Sequence, residues 1–153
     1  MNNIVKQIMQ FCEEETQKII TELQQERFAH QGAFNDNPKW EDNAIDVIRD
    51  KGRNQPLVDT GNLEKQLSTT KNWDLNPRLV NNKLVLTVPK RETFTDTKYD
   101  KLDTGGFSPA YTSPRGNKMR ARELPKRPFK EISDKDTDWI ANKLVQRIKA
   151  KFG

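Results

Sequence analysis

Cysteine, histidine and an Asp-Thr-Gly triplet are the features of this sequence that could carry covalent or metal chemistry. The chain has 153 residues with one cysteine, Cys12, and one histidine, His30. A single cysteine excludes an internal disulfide framework. Cys12 and His30 are too far apart in sequence for a local zinc-ligand pair, and no Cys-Cys or His-His pair supplements them. A Ser-His-Asp triad would have to use His30, which precedes Gln31 and Gly32 at an expected helix end with no nucleophile motif beside it. Asp59-Thr60-Gly61 matches the triplet of aspartic-protease sites, but its flanks are wrong for that use. No catalytic residue, metal ligand or cofactor is therefore assigned, and the chain reads as a binding or assembly protein rather than an enzyme.

The remaining chemistry is charge. Arg115, Lys118, Arg120 and Arg122 form a cluster with no acid among them. Residues 115–153 hold twelve bases against five acids, a net of +7 within a chain of net +5, so the rest is slightly acidic. Three readings of this asymmetry stand side by side. It is a solvated loop and helix end, a contact to an acidic face of a partner subunit, or a contact to nucleic-acid phosphate. Sequence-specific DNA reading is not expected, because no helix-turn-helix, zinc-finger or RNP pattern accompanies the charge.

The elements that must position these residues follow from periodicity. Hydrophobic residues make up 33% of the chain, and Leu, Ile, Val and Phe together number 34. That composition supports one domain, 1–153, with a small core, and the helix and strand patterns along it make the fold α+β. No apolar run approaches the roughly 18–20 residues of a membrane span, and the polar N-terminus carries no secretory or transit pattern. Residues 1–30 read as a long amphipathic helix with Ile4, Ile8, Phe11, Cys12, Ile19, Ile20 and Leu23 on one face. Cys12 on that stripe is expected to be a small buried hydrophobe.

Residues 31–56 follow as a Gly-, Asn- and Pro-containing loop, then Trp40 and a short helix over 41–51 stopped by Gly52. Residues 57–89 read as a turn and hairpin, with strands over 69–75 and 84–88 and turn signals at Asn76-Pro77 and Asn81-Asn82. Residues 90–122 read as a long basic loop broken by Pro109 and Pro114. Residues 123–153 read as an extended Pro-rich segment and a helix capped by Ser133 with Asp136 three residues on. The stretch 107–122 is expected to be poorly ordered in an isolated subunit and ordered in an assembly of subunits.

Two stretches carry a family likeness. They are Pro56-Leu57-Val58-Asp59-Thr60-Gly61-Asn62-Leu63, with Leu67-Ser68 following, and Glu123-Leu124-Pro125-Lys126-Arg127-Pro128-Phe129-Lys130-Glu131-Ile132-Ser133. Their order and spacing resemble the L-x-x-T-G-x-L-x-x-S and P-x-R-P-F signatures of the phage virion morphogenesis, or tail-completion, family. Trp40 after a Pro-containing loop fits the same pattern. So does Tyr99 before Gly105-Gly106, although Asp100 stands where the family has Ala and the family's His is absent.

The resemblance implies a small α+β subunit of the tail end or neck of a tailed phage. It implies assembly into a homo-oligomeric ring, commonly a hexamer, bound to connector and tail-tube proteins within the virion. Such a ring would leave a lumen for passing DNA and would need no membrane. Thr60 and Gly61 would fix a turn over Leu63 and Leu67, while Pro125 and Pro128 would stiffen the extended segment. Arg127 and Phe129 have two readings. Either they meet a partner subunit, as Arg115, Lys118, Arg120 and Arg122 would, or Phe129 plugs the chain's own core and Arg127 pairs locally. A nonspecific nucleic-acid-binding accessory protein is the alternative function.

Overall fold

A computed structural model describes residues 3–59, 62–67, 78–81, 83–85, 100–129 and 131–153. Helix α1 spans Asn3–Ala29 and helix α5 spans Asp134–Phe152. They pack antiparallel, with Phe11 against Phe152 near one end and Ile19, Ile20 and Leu23 against Ile140 farther along. Those four residues are buried, and each contributes about 1.5–3 kcal/mol of transfer free energy. Trp139, Leu144, Phe34 and Ile132 close over them. Arg147 ties the pair at its flank, donating to Glu15 at 3.0 Å and Glu22 at 2.6 Å.

Helix α5 begins where its sequence says it should. The Ser133 hydroxyl accepts from Asp136 N at 3.1 Å, and Asp136 Oδ2 accepts from Ser133 N at 3.0 Å, a complete capping box. Asp136 is fully buried because its other oxygen accepts from Asn35 and Asn37 of the loop after α1. That loop turns sharply at Gly32, whose φ is +90° and whose α-carbon faces the Trp40 indole; a β-carbon there would lie 2.8 Å from the ring. Only glycine meets both demands.

Four shorter pieces form the other half. Helix α2 (Ile45–Lys51) ends at Gly52 in the left-handed conformation, and α3 (Asn62–Leu67) packs on α1. Strands β1 (Arg78–Val80) and β2 (Lys83–Val85) pair antiparallel across a turn at Asn81. The turn falls on the expected Asn81-Asn82 signal, whereas the strand expected over 69–75 lies outside the described residues. Thr60 and Gly61 also lie outside them. A second core cluster joins Phe28, Trp40, Leu57, Leu63 and Phe129.

The architecture is α+β, as the helix and strand patterns indicate. The stretch read as a long loop is corrected over its described part. It contains helix α4 (Asp100–Thr104) and a ribbon of β3 (Gly106–Ser108), β4 (Tyr111–Thr112), β5 (Lys118–Met119) and β6 (Arg122–Leu124). Strand β3 pairs with β6, and β4 with β5, both antiparallel. The prolines punctuate this ribbon rather than preventing it. Pro109 falls between β3 and β4, and Pro114 sits in the tip, where Gly116 N donates to Ser113 O at 2.9 Å.

Candidate functional site

Proline on both sides restricts the backbone of the segment 125–129, and two buried arginines hold it. Arg27 of α1 donates to the carbonyls of Pro128 at 2.7 Å, Phe129 at 3.3 Å and Glu131 at 2.7 Å. Arg127 donates from Nε to the Glu41 carbonyl and from Nη2 to the Asp42 carbonyl, both at 2.9 Å. Its own amide donates to Leu102 O, and the next strut, Phe129 N, donates to Asp103 Oδ1 at 2.9 Å. Two guanidinium forks thus replace strand pairing for an irregular segment whose prolines have no amide to offer. Burial pushes both guanidinium groups below their usual range, and nearby carboxylates oppose the shift.

This geometry corrects one assignment of partner-contact residues. Phe129 is 0% exposed and Arg127 is 5% exposed, so neither reaches a partner's surface. The reading in which Phe129 plugs the core and Arg127 pairs locally accounts for both. Pro125 lines a cavity described below, and Pro128 lends its carbonyl to Arg27 and to the Trp40 indole.

The basic cluster divides in two. Arg115 forms ion pairs with Asp50 and Asp59, and Arg122 forms one with Asp46. Asp50 also accepts from Ser113 and Asn117, both at 2.7 Å, and Asp46 accepts from the Arg120 amide at 3.0 Å. The acidic face of α2 therefore clamps the ribbon. Hydrogen bonds from Ser113, Asn117 and Arg115 hold the Asp50 carboxyl below its usual range. Burial alone would raise the Asp46 carboxyl, but Arg122 and the Arg120 amide outweigh it and the net shift is downward. The side chains of Lys118 and Arg120 stay exposed, with no ion pair among the described residues.

Between α2, α3, α4 and the ribbon lies a cavity of about 550 Å³. Val47, Leu57, Leu63, Leu102 and Leu124 give it an apolar lining, and Tyr111 stands half-exposed beside it. Leu57 holds a left-handed backbone, φ 63°, a conformation that costs a non-glycine residue about 1–2 kcal/mol and is held here by its burial. Glu41, Asp42 and Glu123 are exposed along the lining and form no ion pair within 4 Å among the described residues. Lys51 is half-buried there, and desolvation lowers its ammonium below the usual value.

Sequence reasoning missed Arg27, Thr16 and Gln24, all buried on α1. Helical spacing could have found two of them: Thr16, Ile20 and Gln24 stand four apart on one stripe. Cys12 is fully buried as expected, and burial pushes its thiol up. His30 is exposed, stacked on Phe34 and 3.2 Å from Glu26. Among the described residues no group of three or more His, Cys, Asp and Glu side chains is placed to hold a metal ion, and no helix is long and apolar enough to cross a membrane. No family model, curated protein or solved structure matches the chain.

Proposed function

We propose that this chain is a structural subunit of a tailed-phage particle, a ring-forming tail-completion or neck protein at the head–tail junction. The observation that carries the reading is a convergence. Leu57 and Leu63 of the first signature, Phe129 of the second and Trp40 between loop and helix are separated by up to 89 positions, yet they share one buried cluster. Arg127 joins the same region by binding the backbone next to Trp40. Residues that resemble a family motif for packing reasons should meet in this way, whereas chance matches of common turn residues need not.

The distribution of charge favours this reading over a nucleic-acid-binding accessory protein. Two of the four clustered bases are already paired with carboxylates of α2. A protein that bound DNA through this cluster would have to break those pairs. Neighbouring connector and tail-tube proteins, and a lumen through which DNA passes, belong to the same proposal.

The test is assembly with and without the chain. Particles formed in its absence should accumulate as separate heads and tails, and restoring the chain should join them. Density for it should then lie on the particle axis at the tail end or neck in electron cryomicroscopy. Joined, infectious particles in its absence would overturn the proposal.

A further inference from the structure

Two surfaces of the molecule are apolar, exposed and opposite in charge. The first is the α1–α5 end. Val145 and Phe152 are each 48% exposed and stand seven residues apart, so they lie on one flank of α5. Lys149 lies between them, four residues from Val145, and Lys151 follows in the same last turn. Both lysines are exposed and form no ion pair within 4 Å among the described residues. The second surface is the 550 Å³ cavity, apolar within. The exposed charged residues at its edge are the acids Glu41, Asp42, Asp59 and Glu123. Its cations are withdrawn, with Lys51 half-buried in the wall, Arg122 paired with Asp46 and Arg127 buried on the carbonyls of Glu41 and Asp42.

The two surfaces are far apart on the subunit. Phe152 packs on Phe11, whereas the cavity adjoins the cluster that contains Phe28. Seventeen helical residues separate Phe11 from Phe28, about 25 Å along α1. A surface cannot reach its complement on the same chain across that distance.

We propose that these surfaces meet between copies: the α5 end of one subunit docks on the cavity of the next. The apolar flank of Val145 and Phe152 would cover the cavity mouth beside Tyr111, and Lys149 and Lys151 would face Glu41, Asp42 and Glu123. Opposite charges around an apolar centre fix the register of such a contact and disfavour an α5-to-α5 pairing, which would set lysine against lysine. A contact between two different surfaces is head-to-tail, and it closes into a ring when the rotation per subunit allows. The proposal rests on the ring reading above and assigns its subunit contact.

Sedimentation equilibrium on the purified full chain tests it, with circular dichroism to confirm that each variant is folded. The wild type should self-associate. K149E/K151E and E41K/E123K change exposed positions only, and each should weaken association at least about tenfold. A chain carrying all four changes should recover it, because the charges are again complementary. A wild type that remains monomeric at all accessible concentrations overturns the contact, and the particle-assembly experiment then judges the tail-completion reading separately. Association that neither pair of changes weakens, or that the four-fold variant does not recover, also overturns the contact but leaves a ring with a different interface.

Discussion

Arg127 binds two backbone carbonyls, so its loss is a matter of buried acceptors rather than of surface charge. In the Arg127→Ala variant the carbonyls of Glu41 and Asp42 lose charged donors in a buried site. Each such bond is worth about 1.5–3 kcal/mol, so urea unfolding should show a loss near 3 kcal/mol. Unchanged stability would contradict this role. Gln24 presents the opposite case. It is fully buried in α1, and among the described residues neither its side-chain oxygen nor its nitrogen has a hydrogen-bond partner. Met has similar length and no amide to desolvate, so Gln24→Met should raise the unfolding midpoint, by about 1–2 kcal/mol in free energy. At this scale the sequence was legible where a residue's type matched its burial, as at Cys12 and Ile19. It was illegible at Arg27 and Arg127, because a buried arginine reports the backbone it satisfies, and that backbone lies far away in sequence.

Among the elements, α1 and α5 could be read from periodicity and capping alone, since each is specified by its own residues. The ribbon could not. Its strands are two or three residues long, too short for alternation to register, and α2 supplies the side chains that hold it. Asp50 carries much of that hold through Ser113, Arg115 and Asn117. In Asp50→Ala the amides of 106–124 should exchange faster while those of α1 and α5 keep their protection. Equal exchange throughout would show that the ribbon stands without the clamp. The same contacts set a pH dependence. The folded Asp46 and Asp50 carboxyl groups sit below their ordinary range, so their contribution is present above the unfolded value of about 3.9 and is lost as pH falls through the folded values. Ribbon protection should be constant from neutral pH to about pH 5 and collapse below about pH 4, a course that hydrogen exchange across pH would follow.

For the whole molecule, the +7 of residues 115–153 overstates the field available to a polyanion. Arg115, Arg122 and Arg147 face carboxylates, and Arg27 and Arg127 are buried against carbonyls. Binding of the purified chain to random duplex DNA should therefore be weak, with a log–log salt slope no steeper than about −2, the release expected from roughly two phosphates. A steep slope, near −6, would return the nucleic-acid reading to first place. The +7 of residues 115–153 was plain in the sequence, but its neutralisation depends on α2 and Asp59, more than fifty residues upstream. Pairing at that range leaves no trace in local composition.

The two carbonyl-binding arginines also make the fold's tolerance of mutation one-sided. Their partners are main-chain atoms, which persist whatever side chain stands at Glu41, Asp42 or Glu131. A saturation library selected for folded protein should therefore lose nearly every substitution at Arg27 and Arg127 while admitting most at those three acceptor positions. Contacts of this kind generate no compensating pairs, so a lineage can rewrite the surface around 41, 42 and 131, and with it the identity of its neighbours, without disturbing the joint beneath.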